Sequence, residues 1–87
     1  GLCFVDRDTV VVSNYWGELL RIDLPTRTIL RRAIAANGIS AVARADADGT
    51  HLLASSYDGA CYRVRSDTLE VVGTLRAMQQ RPAPQRD

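Results

Sequence analysis

Apolar residues occur in this chain as short runs, each closed by a polar or glycine-bearing corner. Residues 2–5 are closed by Asp6-Arg7-Asp8, residues 9–13 by Tyr15-Trp16-Gly17, residues 18–23 by Leu24-Pro25-Thr26-Arg27, and residues 28–34 by Asn37-Gly38. A second series follows. Residues 39–43 end at Asp46-Ala47-Asp48-Gly49, residues 51–55 at Asp58-Gly59, residues 60–65 at Ser66-Asp67, and residues 69–75 complete the set. Runs of this length between turn residues predict β-strands. The β-branched stretch Thr9-Val10-Val11-Val12 suits a buried strand. Gly17 is free to take positive φ in its turn, and Pro25 cannot donate to a ladder. Residues 33–36, beside Arg31-Arg32, also fit a short helix, but strand is preferred because of the repeat described next. From Arg76 onward the pattern stops. The Pro82- and Pro84-containing end is nearly devoid of apolar residues and reads as a disordered tail.

The two series are copies of one another. Ser13-Asn14-Tyr15-Trp16-Gly17 returns 42 positions later as Ser55-Ser56-Tyr57-Asp58-Gly59. The same offset places Val10-Val11-Val12 on Leu52-Leu53-Ala54, Arg21-Ile22 on Arg63-Val64, and Ile29-Leu30 on Val71-Val72. Strand spacing alone fits a sandwich or barrel equally well. A period of about 40 to 45 residues points instead to four-stranded units tiled around a ring. The expected fold is therefore all-β: two four-stranded antiparallel β-propeller blades, residues 1–36 and 37–75, with residues 76–87 as the tail. Two blades cannot close a ring of about four to eight, and each end of the pair would leave one sheet face uncovered. The chain, which opens on Gly1 and already reads as strand, is expected to be part of a larger propeller. The alternative is self-assembly, with three copies completing a six-bladed ring.

Charge narrows the partners. The formal net charge is +1, and the eleven basic residues, all Arg, are scattered along the chain. A phosphate-binding surface would gather them on one face, so neither nucleic acid nor membrane is expected as a partner. No apolar run approaches the roughly 20 residues of a membrane-spanning helix. No leader pattern opens the sequence, and the compartment stays open, with the cytoplasm slightly favoured.

The chemistry-bearing residues are few. Cys3 and Cys61 occupy non-equivalent repeat positions and read as small buried hydrophobes rather than a disulfide. Asp46-x-Asp48-Gly49 begins like a calcium loop, but the twelfth position is Tyr57 where a carboxylate is required. His51, the sole histidine, heads a strand with no nucleophile elbow around Ser55 or Ser56, and reads as an exposed strand-end residue. Tyr15, Trp16 and Tyr57 fall at the same corner of two adjacent units. With Arg21 and Arg63 repeated nearby they form a candidate partner-binding patch. The alternative is that both tyrosines pack between units and leave only Trp16 partly exposed.

Residues 39–43 and the stretch Gly49-Thr50-His51-Leu52-Leu53-Ala54-Ser55-Ser56-Tyr57-Asp58-Gly59 resemble the first strand, second strand and turn of a WD-repeat blade. The Trp-Asp pair of that family is replaced by Ile22-Asp23 and Val64-Arg65, and its Gly-His pair is absent, so the resemblance is to a divergent propeller. Gly17-Glu18-Leu19-Leu20-Arg21-Ile22-Asp23 also resembles a strand of quinoprotein-like and gluconolactonase-type propellers. Asn37-Gly38-Ile39 resembles the Asn-Gly segment of the gluconolactonase and strictosidine-synthase group. The second resemblance implies that Asn37 would be a ligand to a divalent metal such as calcium in a lactonase-like or quinoprotein-like enzyme. Its remaining ligands have no counterpart here. With no complete catalytic set and no cofactor motif, the expected function is non-enzymatic. The chain is read as a propeller segment that scaffolds a protein partner or the remaining blades of its own propeller.

Overall fold

The computed structural model describes residues 1–76; the expected tail, Arg76 apart, lies outside them. The described residues form eight strands: β1 (Leu2–Asp6), β2 (Thr9–Ser13), β3 (Glu18–Asp23), β4 (Thr28–Ala33), β5 (Ile39–Arg44), β6 (His51–Ser56), β7 (Cys61–Arg65) and β8 (Val71–Leu75). They make two four-stranded antiparallel sheets in sequential order, β1-β2-β3-β4 and β5-β6-β7-β8, and the described residues contain no helix. The all-β expectation is met. Arg31-Arg32-Ala33 is strand, and the charged pair lies on an edge strand, where charge discourages pairing with a further chain.

The expected start of the last strand moves. Residues 69 and 70 were expected to open the last strand, which begins at Val71; Leu69 instead ends the preceding turn with φ 62°. Arg27, its equivalent in the first unit, has φ 60°. In both turns this residue's N–H returns to the end of the previous strand, Arg27 to Asp23 O at 2.6 Å and Leu69 to Arg65 O at 2.8 Å.

Alternation gives each sheet two faces. In the first sheet, Phe4, Val10, Ile22 and Ile29 stand opposite one another on one face, and Cys3, Val11, Arg21 and Leu30 on the other. In the second, Val42, Ala54, Tyr62 and Thr74 share one face, and Ala43, Leu53, Arg63 and Gly73 the other. The core forms where the Val11–Leu19 face meets Val42, Leu52, Ala54, Tyr62 and Val64. Ile39 and Leu69 close its margins, and Cys3, Val5 and Ile34 pack against it. Both cysteines are free and half-buried.

Candidate functional site

The β2–β3 and β6–β7 turns lie side by side at one end of the sheets. Each is a tight loop closed by a glycine at positive φ, Gly17 at 82° and Gly59 at 92°, a conformation side chains resist. In the first, the Asn14 side chain organises the corner: its Oδ1 accepts from the N–H of Trp16 (2.9 Å) and of Glu18 (3.0 Å), and its Nδ2 donates to Glu18 Oε1 (2.9 Å). In the second, this part is divided: the Ser56 hydroxyl, at the repeat position of Asn14, accepts from the Asp58 N–H at 3.3 Å, and the Asp58 carboxylate accepts from the Ala60 N–H at 3.1 Å.

The linker between the sheets stitches these turns together. The Ile39 N–H donates to Asn14 O at 3.0 Å, and the Tyr57 N–H to Gly38 O at 3.0 Å. Gly38 is needed here for closeness rather than for unusual φ, because a Cβ would sit 2.9 Å from Tyr15 O. The result brings Tyr15 and Tyr57 into a stack, ring centroids 6.0 Å apart and planes 21° from parallel. Neither tyrosine is packed away between the sheets. Tyr15 is 77% exposed, Trp16 79% and Tyr57 62%. A shallow cavity of about 150 Å³ adjoins the stack, lined by Ser13, Asn14, Tyr15, Ile39, Ser40 and Tyr57. Chemically this is an amphipathic platform, with ring faces for apolar contact and phenol and indole groups for hydrogen bonds.

Charge frames the platform. Asp58 receives the Asn37 amide (3.3 Å) and faces the Arg76 guanidinium (3.7 Å). The Ala60 N–H and the Ser56 hydroxyl hold its carboxyl below the usual range against partial desolvation, with Asn37 and Arg76 adding to the effect. Desolvation, together with the adjacent Tyr15 phenol, pushes the Tyr57 phenol above its ordinary value of 10.0.

Asn37 has thus become part of the corner's hydrogen bonding. Its amide nitrogen faces the one nearby carboxylate, which a cation already accompanies. Among the described residues no three His, Cys, Asp or Glu side chains converge.

Arg21 and Arg63 are drawn away from the aromatics. Arg63 approaches Asp46 at 3.7 Å. Arg21 lines a cleft of about 510 Å³ toward the opposite end, with Val5, Gly49, Thr50, His51 and Ser66. Its Nε is buried with no hydrogen-bond partner among the described residues. His51 is half-buried rather than exposed. Its Nδ1 lies 3.2 Å from Asp46 Oδ2 and 3.1 Å from Thr50 Oγ1. Because both neighbours meet the same ring nitrogen, the imidazole cannot relay a proton between them. Asp46 also accepts from the His51 N–H, and although desolvation opposes it, these hydrogen bonds hold its carboxyl well below the usual range. The cluster caps the β5–β6 turn.

Sequence reasoning found the aromatics but missed the Gly38 stitch that joins them; Asn-Gly reads as a turn, which conceals a close approach. Compared with known proteins, the chain matches no protein-family model and has no significant match among curated proteins.

Proposed function

We propose that this chain is a segment of a divergent β-propeller that scaffolds a protein partner through its aromatic corner and performs no catalysis of its own. The observation that carries the reading is the outward display of Tyr15, Trp16 and Tyr57 on a backbone-fixed corner. Large aromatics held in one geometry lose little entropy on binding and dominate interface energetics. The propeller assignment rests on the 42-residue repeat and on two sheets built to one plan, strand by strand and turn by turn. The docking surface is centred on the three aromatics, with Asn37, Asp58 and Arg76 as its polar rim. Arg21 and Arg63 point elsewhere and are left out of it.

Trp16 is the only tryptophan, so its fluorescence reports on the corner directly. A docked partner should shift its emission to the blue. Trp16→Ala with Tyr57→Ala should weaken capture of any such partner by about 2 kcal/mol or more, roughly thirtyfold. Partner binding left intact in the double variant would refute the reading.

A further inference from the structure

The repeat register exposes an asymmetry in how the two sheets are covered. Val10, Val12, Leu20 and Ile22 occupy the same repeat positions as Leu52, Ala54, Tyr62 and Val64. The second set is the buried face of the second sheet, packed into the core. The first set belongs to the face of the first sheet that points away from the core; there Val10 is buried and Val12, Leu20 and Ile22 are half-buried among their neighbours, while Leu2, Phe4 and Ile29 around them are 60%, 50% and 58% exposed. The converse holds on the other faces. Val11, Ser13, Leu19 and Arg21 form the inner face of the first sheet, while their equivalents Leu53, Ser55, Cys61 and Arg63 form the outer face of the second. One chain therefore contains a completed sheet-on-sheet junction and both uncovered halves of another.

We infer that the outer face of the first sheet (Leu2, Phe4, Val10, Val12, Leu20 and Ile22) docks head to tail on the outer face of the second sheet of another copy of this chain. The junction inside the chain is the precedent, since it shows what kind of surface covers a face of this type. Shape agrees. The first sheet offers bulky side chains, while the second offers a shallow groove of about 160 Å³ lined by Ala41, Ala43, Leu53, Ser55 and Cys61. Large residues opposite small ones interdigitate, whereas two bulky faces apposed would find no recess. Charge agrees as well: Arg63 lies beside Asp46 at 3.7 Å and Arg31 beside Glu18 at 3.9 Å, so each cation at the contact already has an acid near it. A contiguous apolar face of this kind marks an interaction site in a folded protein. Because the two halves differ, the contact is heterologous and builds rings or open stacks rather than a two-fold dimer. It uses sheet faces, not the turn-borne aromatics, and goes beyond the partner-binding role proposed above.

Sedimentation velocity of the full 87-residue chain over a wide concentration range tests this. The wild type should assemble beyond a dimer as concentration rises. Phe4→Glu and Leu53→Glu should each weaken self-association roughly a hundredfold by placing a carboxylate in the apolar contact. An equimolar mixture of the two should form a 1:1 dimer and stop there, because each variant retains the half that the other lacks. Circular dichroism checks that both fold; if either does not, Ile29→Glu and Ala43→Glu replace them on the same two faces, with the same outcomes expected. A wild type that stays monomeric overturns the inference. So does disruption by the first-sheet variant alone, which would mean like faces pair, and so does a mixture that forms no heterodimer.

Discussion

The rings of Tyr15 and Tyr57 come from different sheets and stack 6.0 Å apart, within 21° of parallel. Neither ring is buried, so burial does not hold them together. The backbone does, through Asn14 O to Ile39 N–H on one side of the linker and Gly38 O to Tyr57 N–H on the other. A surface fixed in this way is preorganised, and a partner docking on it would have little left to order.

Gly38 should therefore be the most sensitive linker position. A methyl group there would lie 2.9 Å from Tyr15 O and 3.0 Å from Tyr15 Cα, both backbone atoms that cannot swing aside. Gly38→Ala should cost about 1–3 kcal/mol, as overpacking does, read from the urea midpoint. It should also reduce the near-ultraviolet circular dichroism of the stacked phenols. Unchanged values of both would show that the stitch tolerates more room than its geometry allows.

The same stack makes an alkaline prediction. The Tyr57 phenol is held above its ordinary value of 10.0 by partial desolvation and by the adjacent Tyr15 phenol, both of which disfavour the phenolate. The native state then binds more protons than the unfolded chain, so this contribution is present below the unfolded value of about 10 and is lost as pH rises through the folded one. Absorbance titration of tyrosinate should show a late phase from Tyr57. That phase should vanish in Tyr57→Phe and move to lower pH in Tyr15→Phe.

In acid the sign reverses. The Asp58 carboxyl is held below its ordinary value of 3.8 by the Ala60 N–H and the Ser56 hydroxyl, with Asn37 and Arg76 adding to them. Its contribution is complete above the unfolded value of about 3.9 and is lost as pH falls through the folded one. Stability measured by urea should decline between about pH 5 and pH 2, and part of that decline should be missing in Asp58→Asn. An identical acid profile for the two proteins would show that the Asp58 hydrogen bonds do not distinguish folded from unfolded.

Strand order and the all-β class were legible because alternation and turn residues are local signals, and the repeat supplied each assignment twice. The aromatic trio was legible for the same reason. Legibility failed where meaning depends on a distant partner. Arg21 and Arg63 sit at equivalent positions, yet one lines a cleft between sheets and the other meets Asp46 on an open face. No spacing rule separates them, because the difference is whether another sheet lies alongside. His51 looked exposed since it heads a strand, but the Asp46 carboxylate from the preceding turn half-covers it. Leu69 looked like the start of a strand because it is apolar, and only the fold shows it to be a left-handed turn residue.

That last position yields the sharpest comparison. Arg27 and Leu69 share a repeat position, a backbone hydrogen bond and a left-handed conformation, φ 60° and 62°. A residue with a Cβ is strained there by about 1–2 kcal/mol. At Arg27, which is exposed, nothing offsets the strain. Arg27→Gly should leave stability unchanged or raise it by up to about 1 kcal/mol, the relief being partly cancelled by glycine's greater freedom when unfolded. At Leu69 the side chain is fully buried in the core, and its burial outweighs the same strain. Leu69→Gly should cost about 2–5 kcal/mol, in the range of large-to-small core substitutions. Thermal melts of the two single variants would then move in opposite directions, or the first would hardly move while the second fell by many degrees. Equal shifts would mean that the turn backbone, rather than what the side chain buries, sets the energetics at this repeat position.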